Sequence, residues 1–122
     1  MIHVGCCGFR RARAAYFQHF PLVEVQRTFY KPPRVETAHR WRQEAPPGFT
    51  FTLKAWQLIT HLPTSPTYRK AGLDIPPDCR DRYGGFRPTP EVIEAWERTR
   101  RIAEALEAPI VLFQCPASFT PT

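Results

Sequence analysis

The sequence predicts a parallel α/β protein of the β/α-barrel type, with four β/α units where a closed barrel takes eight. Three observations predict it. Strand-like and helix-like segments follow the order β-α-β-α-β-long loop-α-β along 122 residues. Two of the strands are apolar on one face and polar on the other. Their polar positions hold a carboxylate, an amide, hydroxyls and an ammonium, which suit the inside of a barrel better than an open surface.

Ile2 to Cys6 reads as the first strand, ended by a turn at Gly8. Arg10 to Phe20 has helical spacing, with Ala14, Phe17 and Phe20 near one face, and Pro21 closes it. Leu22 to Tyr30 alternates as a strand: Val23 and Val25 point one way, Glu24, Gln26 and Thr28 the other. After Lys31-Pro32-Pro33, residues Val35 to Ala45 form a helix with Val35, Ala38, Trp41 and Ala45 on its buried stripe. Phe49 to Ala55 has the cleanest period of two, with Phe49, Phe51 and Leu53 opposite Thr50, Thr52 and Lys54. Residues 56–88 read as a long irregular loop punctuated by Pro and Gly, and a connection of that length is usually functional or mobile. Thr89-Pro90-Glu91 opens the best helix, as hydroxyl cap, first-turn proline and dipole-complementing carboxylate. Its stripe is Val92, Trp96, Ala103 and Leu106. Pro109 to Cys115 is the fourth strand, apolar enough to be buried on both faces, and Pro116 to Thr122 leads out of it.

The length makes residues 1–122 one domain at most, here an incomplete barrel. Hydrophobic content of 43% and aromatic content of 13% exclude a disordered chain. No apolar run approaches the roughly 18 residues of a membrane span, and the N-terminus shows no signal peptide, so the cytoplasm is the expected compartment. A net charge of +6 favours anionic partners, be they phosphate esters, nucleotides or nucleic acid; the alternative is a solvated basic surface. Arginine outnumbers lysine, and arginine is the better bidentate anion ligand. The four cysteines, 6, 7, 79 and 115, have no Cys-x-x-Cys spacing and are expected reduced. Cys7, Cys79 and Cys115 on one face would make a metal or iron–sulfur site, but their spacing matches no known clip, and no cofactor is expected. No phosphate-binding loop or dinucleotide fingerprint is present.

Four segments carry a resemblance: Val4-Gly5-Cys6-Cys7-Gly8-Phe9, Val23-Glu24-Val25-Gln26-Arg27-Thr28-Phe29-Tyr30, Lys54-Ala55 through Ile59-Thr60-His61, and Leu112-Phe113-Gln114-Cys115-Pro116-Ala117-Ser118-Phe119. Together they resemble the YecE-like family, domain of unknown function 72. The resemblance runs end to end and implies a TIM-barrel-like fold, of which this chain matches the N-terminal half. It implies a site but no particular reaction. Where the family commonly has Thr-Ser-Gly-Trp, this chain has Cys6-Cys7-Gly8-Phe9.

Inward-facing polar positions would set Glu24, Gln26 and Thr28 beside Thr50, Thr52 and Lys54. Buried charge is costly unless paired, so Glu24 and Lys54 are expected within ion-pair reach. They would act as an acid/base pair at the mouth or merely fill the lumen. Thr60 and His61 lie just beyond the third strand, where barrel sites collect, and His61 titrates near neutrality. Arg10, Arg11 and Arg13 open the first helix against its dipole, which a bound anion or surface carboxylates would relieve. Gln114 and Ser118 close the fourth strand as hydrogen-bonding groups, with no nucleophile elbow around Ser118. The expected catalytic set is thus Glu24, Lys54 and His61. Arg10, Gln26, Thr28, Tyr30, Thr60, Gln114 and Ser118 would bind substrate.

The leading expectation is an enzyme using acid/base chemistry on a small anionic substrate, phosphorylated or nucleotide-like. A second is a nucleic-acid-binding protein stacking bases on Tyr30, Trp56, Tyr68 and Tyr83. A third is a non-catalytic half-barrel that completes another chain. The expected partners are the substrate and a C-terminal half of the barrel, or a second copy.

Overall fold

The computed structural model describes residues 1–120; Pro121 and Thr122, the end of the expected outgoing segment, lie outside them. In chain order the elements are β1 (Cys6–Cys7), α1 (Arg13–His19), β2 (Leu22–Val25), α2 (Arg27–Tyr30), α3 (Val35–Glu44), β3 (Thr50–Lys54), α4 (Gln57–Thr60), α5 (Pro66–Lys70), a 3-10 helix (Pro77–Arg82), α6 (Pro90–Leu106) and β4 (Ile110–Leu112). The strands form one parallel sheet in the order β1-β2-β3-β4. Among the described residues no helix is long and apolar enough to cross a membrane.

Alternation in β2 and β3 decides which face is core. Val23, Val25, Phe51 and Leu53 are buried with Tyr16 of α1, Ala38 and Trp41 of α3, and Ile102 and Leu106 of α6. Register then aligns the opposite face in rows. Cys7 pairs Glu24, Glu24 pairs Thr52, and Thr52 pairs Ile110; one step up, Lys54 pairs Leu112. The α6 cap forms as its sequence dictates, with the Thr89 hydroxyl accepting the Val92 N–H at 3.2 Å and Pro90 in the first turn.

The first strand is shorter than its apolar residues suggest. Ile2 and Val4 are 91% and 66% exposed, because nothing pairs with that edge. What holds β1 is a side chain. The buried Tyr16 hydroxyl accepts the Cys6 N–H at 2.8 Å and donates to the Leu22 carbonyl at 2.6 Å. Gly5 permits the approach, since a Cβ there would collide with the Leu22 backbone. On α1 the deeply buried residue is Tyr16, and Ala14 faces solvent.

Three further expectations are corrected. The strand expected to run to Tyr30 stops at Val25, and α2 follows. Thr28 turns inward there and donates its hydroxyl to the Lys54 carbonyl at 2.6 Å. The fourth strand is not buried on both faces, for Ile110 and Leu112 are 58% and 42% exposed on an edge with no neighbour. Residues 56–88, expected irregular, hold α4, α5 and the 3-10 helix. They have their own core, in which Leu58, Ile59 and Tyr68 meet Val92 and Ala95.

That segment is closed by backbone. Successive N–H groups of Gly84, Gly85 and Phe86 donate to the carbonyls of Leu58, Thr60 and Ile59 at 2.8, 3.2 and 2.9 Å. They satisfy carbonyls that a four-residue helix cannot satisfy itself. Gly84 has φ +78, and a Cβ on it would collide with the His61 carbonyl; Gly72 has φ +70 and open space around it. Gly84→Ala is therefore expected to cost about 3 kcal/mol and Gly72→Ala about 1 kcal/mol. Equal losses in urea unfolding would contradict the role of Gly84 as the clamp on α4.

Candidate functional site

The inner face of the sheet gathers chemistry at the ends of β1, β2 and β3. Glu24 is half-buried, and its Oε2 accepts the Gln26 amide at 2.6 Å. Gln26 reaches back because the chain has already turned toward α2, with Gln26 at helical dihedrals. Cys7 stands beside Glu24 as its ladder partner. Hydrogen bonding to the Glu24 carboxylate, and then its charge, push the Cys7 thiol above its ordinary range, while Lys54 and Arg10 act the other way. Cys7 is thus held as the thiol beside Glu24, not as a ready thiolate nucleophile.

Lys54 and His61 converge on one ring. Lys54 Nζ lies 5.9 Å from the Phe29 ring centre, and the His61 ring meets Phe29 edge-on at 5.0 Å. Phe29 is buried on α2, and the Thr28 hydroxyl ties that turn to the end of β3. His61 is 6% exposed, its Nδ1 is 2.7 Å from the Thr60 hydroxyl, and its carbonyl accepts from Tyr68. Burial lowers the His61 pKa, so the imidazole is neutral at pH 7. Burial likewise raises the Tyr68 pKa.

The expected residues therefore divide. Glu24, Gln26 and Lys54 share the inner face, but no ion pair within 4 Å joins Glu24 to Lys54 among the described residues. The Gln26 amide donates to the carboxylate instead, with Cys7 alongside as its ladder partner, and the lysine lies by Phe29. Thr60 and His61 form a buried wall rather than an open loop, and Thr28 is a structural tie. Tyr30 is on the rim, its carbonyl accepting from Trp56 and Gln57. Gln114 and Ser118 are exposed beyond β4. Arg10 precedes α1, and Arg13 pairs with Glu44 at 2.9 Å, so carboxylate compensation holds for Arg13. Tyr68 is buried with its hydroxyl committed, which removes it as a stacking platform. Among the described residues no three of His, Cys, Asp and Glu converge to hold a metal ion, Cys7, Cys79 and Cys115 included.

Two residues went unread in the sequence. Phe29 falls inside the strand that alternation predicts, although Thr28-Phe29-Tyr30 after a short strand also fits one helical turn. Gln57, fully buried, donates to the Tyr30 and Thr67 carbonyls and leaves its own Oε1 without a partner. Nothing in its sequence context marks it.

Comparison with known proteins follows this geometry. The family model described as "Protein of unknown function DUF72" matches residues 5–122. UPF0759 protein YunF of Bacillus subtilis (strain 168) is 39% identical over 46 residues, which are 38% of this chain and 16% of that protein. The crystal structure of a DUF72 family protein from Enterococcus faecalis V583 matches with a TM-score of 0.67 at 23% identity. That match covers 100% of this chain and 42% of the solved one, a likeness of fold. This chain thus spans less than half of the solved chain it matches.

His61 gives the site a pH signature. Its folded pKa lies below the ordinary 6.5, so the unfolded chain binds more protons as pH falls through that value. Stability present above about pH 6.5 should decline below it and level off beneath the lowered folded pKa. Urea unfolding at about pH 7.5 and 5.5 should show a steeper loss in wild type than in His61→Gln. Identical slopes would contradict the buried, neutral imidazole.

Proposed function

This chain belongs to the DUF72 family, and from that premise we propose that it is one half of a TIM-barrel-like (β/α) fold whose mouth performs acid/base chemistry. In this reading the substrate is a small anionic compound, phosphorylated or nucleotide-like. Glu24, Lys54 and His61 are the catalytic groups. Gln26 and Arg10 serve substrate binding, with Tyr30, Thr60, Gln114 and Ser118 at the rim and wall.

One observation carries the reading. The C-terminal ends of β2 and β3 deliver a carboxylate and an ammonium to the same sheet face, unpaired with each other and open toward the space a barrel encloses. In barrels of this kind that end of the strands is where reacting groups stand. Glu24, oriented by Gln26, serves as base; Lys54 stabilises negative charge; neutral His61 exchanges a proton with it. The exposed Ile110 and Leu112 on this face support a covering half, supplied by a C-terminal half of the barrel or by a second copy.

The protein is to be incubated with a mixture of phosphorylated metabolites and turnover read by mass spectrometry. Wild type should consume a phosphorylated compound, and Glu24→Gln should do so about 10²–10⁴-fold more slowly at unchanged circular dichroism. Turnover undiminished in Glu24→Gln would end the base assignment.

A further inference from the structure

Beside α2 lies a cavity of about 550 Å³ whose lining includes none of Glu24, Lys54 and His61. It is lined by Arg27 and Tyr30 of α2, Lys31 and Arg34 of the following loop, and Arg98 of α6, over a floor of buried Pro32 and Pro33. Four cations line it and no carboxylate does. Elsewhere Arg13, Arg40, Arg82 and Arg100 each have a carboxylate partner, and the other arginines outside the cavity have none within 4 Å among the described residues, so it is the gathering of four cations around one cavity that sets this place apart. Among the described residues, none of Arg27, Lys31, Arg34 and Arg98 has one within 4 Å.

The cavity is also built. The Arg98 guanidinium donates to the Pro32 carbonyl at 3.3 Å and lies 5.2 Å from the Trp56 ring centre. Trp56 is itself fixed by donating its indole N–H to the Tyr30 carbonyl at 3.2 Å. Arg98 is therefore pre-oriented by two contacts, with donors left over. Arg34 is the residue before α3, so its charge adds to the positive end of that helix dipole. Crowded like charges repel, and an anion seated among them would relieve the repulsion.

We propose that this cavity is a binding site for the diphosphate group of a small molecule. The charge count selects the diphosphate. A phosphate monoester brings at most two negative charges, whereas a diphosphate brings about three and spans more of the four cations. Its position joins it to the catalytic groups. Tyr30 in the cavity packs edge-on against Phe29 at 5.1 Å, and Phe29 is the ring on which Lys54 and His61 converge. Tyr30 and Phe29 thus stand between a diphosphate held here and the groups proposed as catalytic. In this last respect the inference rests on the anionic substrate proposed above and names its anionic part.

Calorimetric titration with inorganic pyrophosphate tests it. The double variant Arg27→Gln/Lys31→Gln removes two exposed cations that hold nothing else in place. It should weaken pyrophosphate binding by about tenfold or more, while Arg69→Gln/Lys70→Gln, with the same loss of charge, should change it less than about twofold. Equal weakening in both, or in neither, overturns the proposal, the first by reducing it to net charge. A single-stranded oligonucleotide of about twelve residues is the second arm. If it binds with a steep salt dependence and is weakened by Arg27→Gln/Lys31→Gln, while pyrophosphate neither binds nor displaces it, the cavity tracks a nucleic-acid backbone and the diphosphate site is refuted. Glu24→Gln should bind pyrophosphate as wild type does. A failed turnover assay with intact pyrophosphate binding thus sinks the catalytic reading alone, and the converse sinks this one alone.

Discussion

The period of two in β2 and β3 is the constraint on which the rest depends. Val23, Val25, Phe51 and Leu53 face the helices and are buried in one core with Tyr16 of α1, Ala38 and Trp41 of α3, and Ile102 and Leu106 of α6. The pleat then forces Glu24, Thr52 and Lys54 to the opposite face, and the ladder brings Cys7, Ile110 and Leu112 beside them. A slip of one residue would exchange the two sets, burying a carboxylate and an ammonium against the helices. Fold and candidate site are therefore specified by the same side chains. The core sets the register, and the register assembles the chemistry.

The turn α2 is where these two roles meet. Its Thr28 hydroxyl binds the end of β3 and its Phe29 ring collects Lys54 and His61, while Arg27 and Tyr30 open onto the basic cavity behind. Electrostatic character changes across it. On one side a carboxylate keeps a thiol protonated; on the other, cations crowd without carboxylates. Phe29 and Tyr30 of α2 stand between the two environments, and the hydrogen-bond partner of Glu24 is the Gln26 amide.

Side-chain periodicity made the sheet faces, α3 and α6 legible, since burial follows it directly: Ala38 and Trp41, Val92 and Leu106 are buried as their spacing requires. The family too was legible, from four short segments in order, and its model matches residues 5–122. Less legible was whatever depends on a single long-range hydrogen bond. Nothing local says that Thr28 will turn in to bind the Lys54 carbonyl, so alternation alone extends the strand to Tyr30. Nothing local says that the N–H groups of Gly84 to Phe86 will return to cap α4, so residues 56–88 looked unstructured. His61 looked like a loop residue for the same reason. The apolar composition of β4 reports the burial such a strand seeks, not the neighbour it has, and its exposure here follows from its place at the edge.

In the function proposed above, the face carrying Glu24 and Lys54 is the interior of a barrel of which these four β/α units are half. An apolar edge such as Ile110 to Leu112, left open, promotes association. Light scattering of this chain over a dilution series tests the claim most directly. The mass is expected above that of one chain and rising with concentration, as uncovered sheet faces and edges pair. A compact monomer at every concentration, unfolding in one cooperative step, would show that four strands suffice alone and would contradict it.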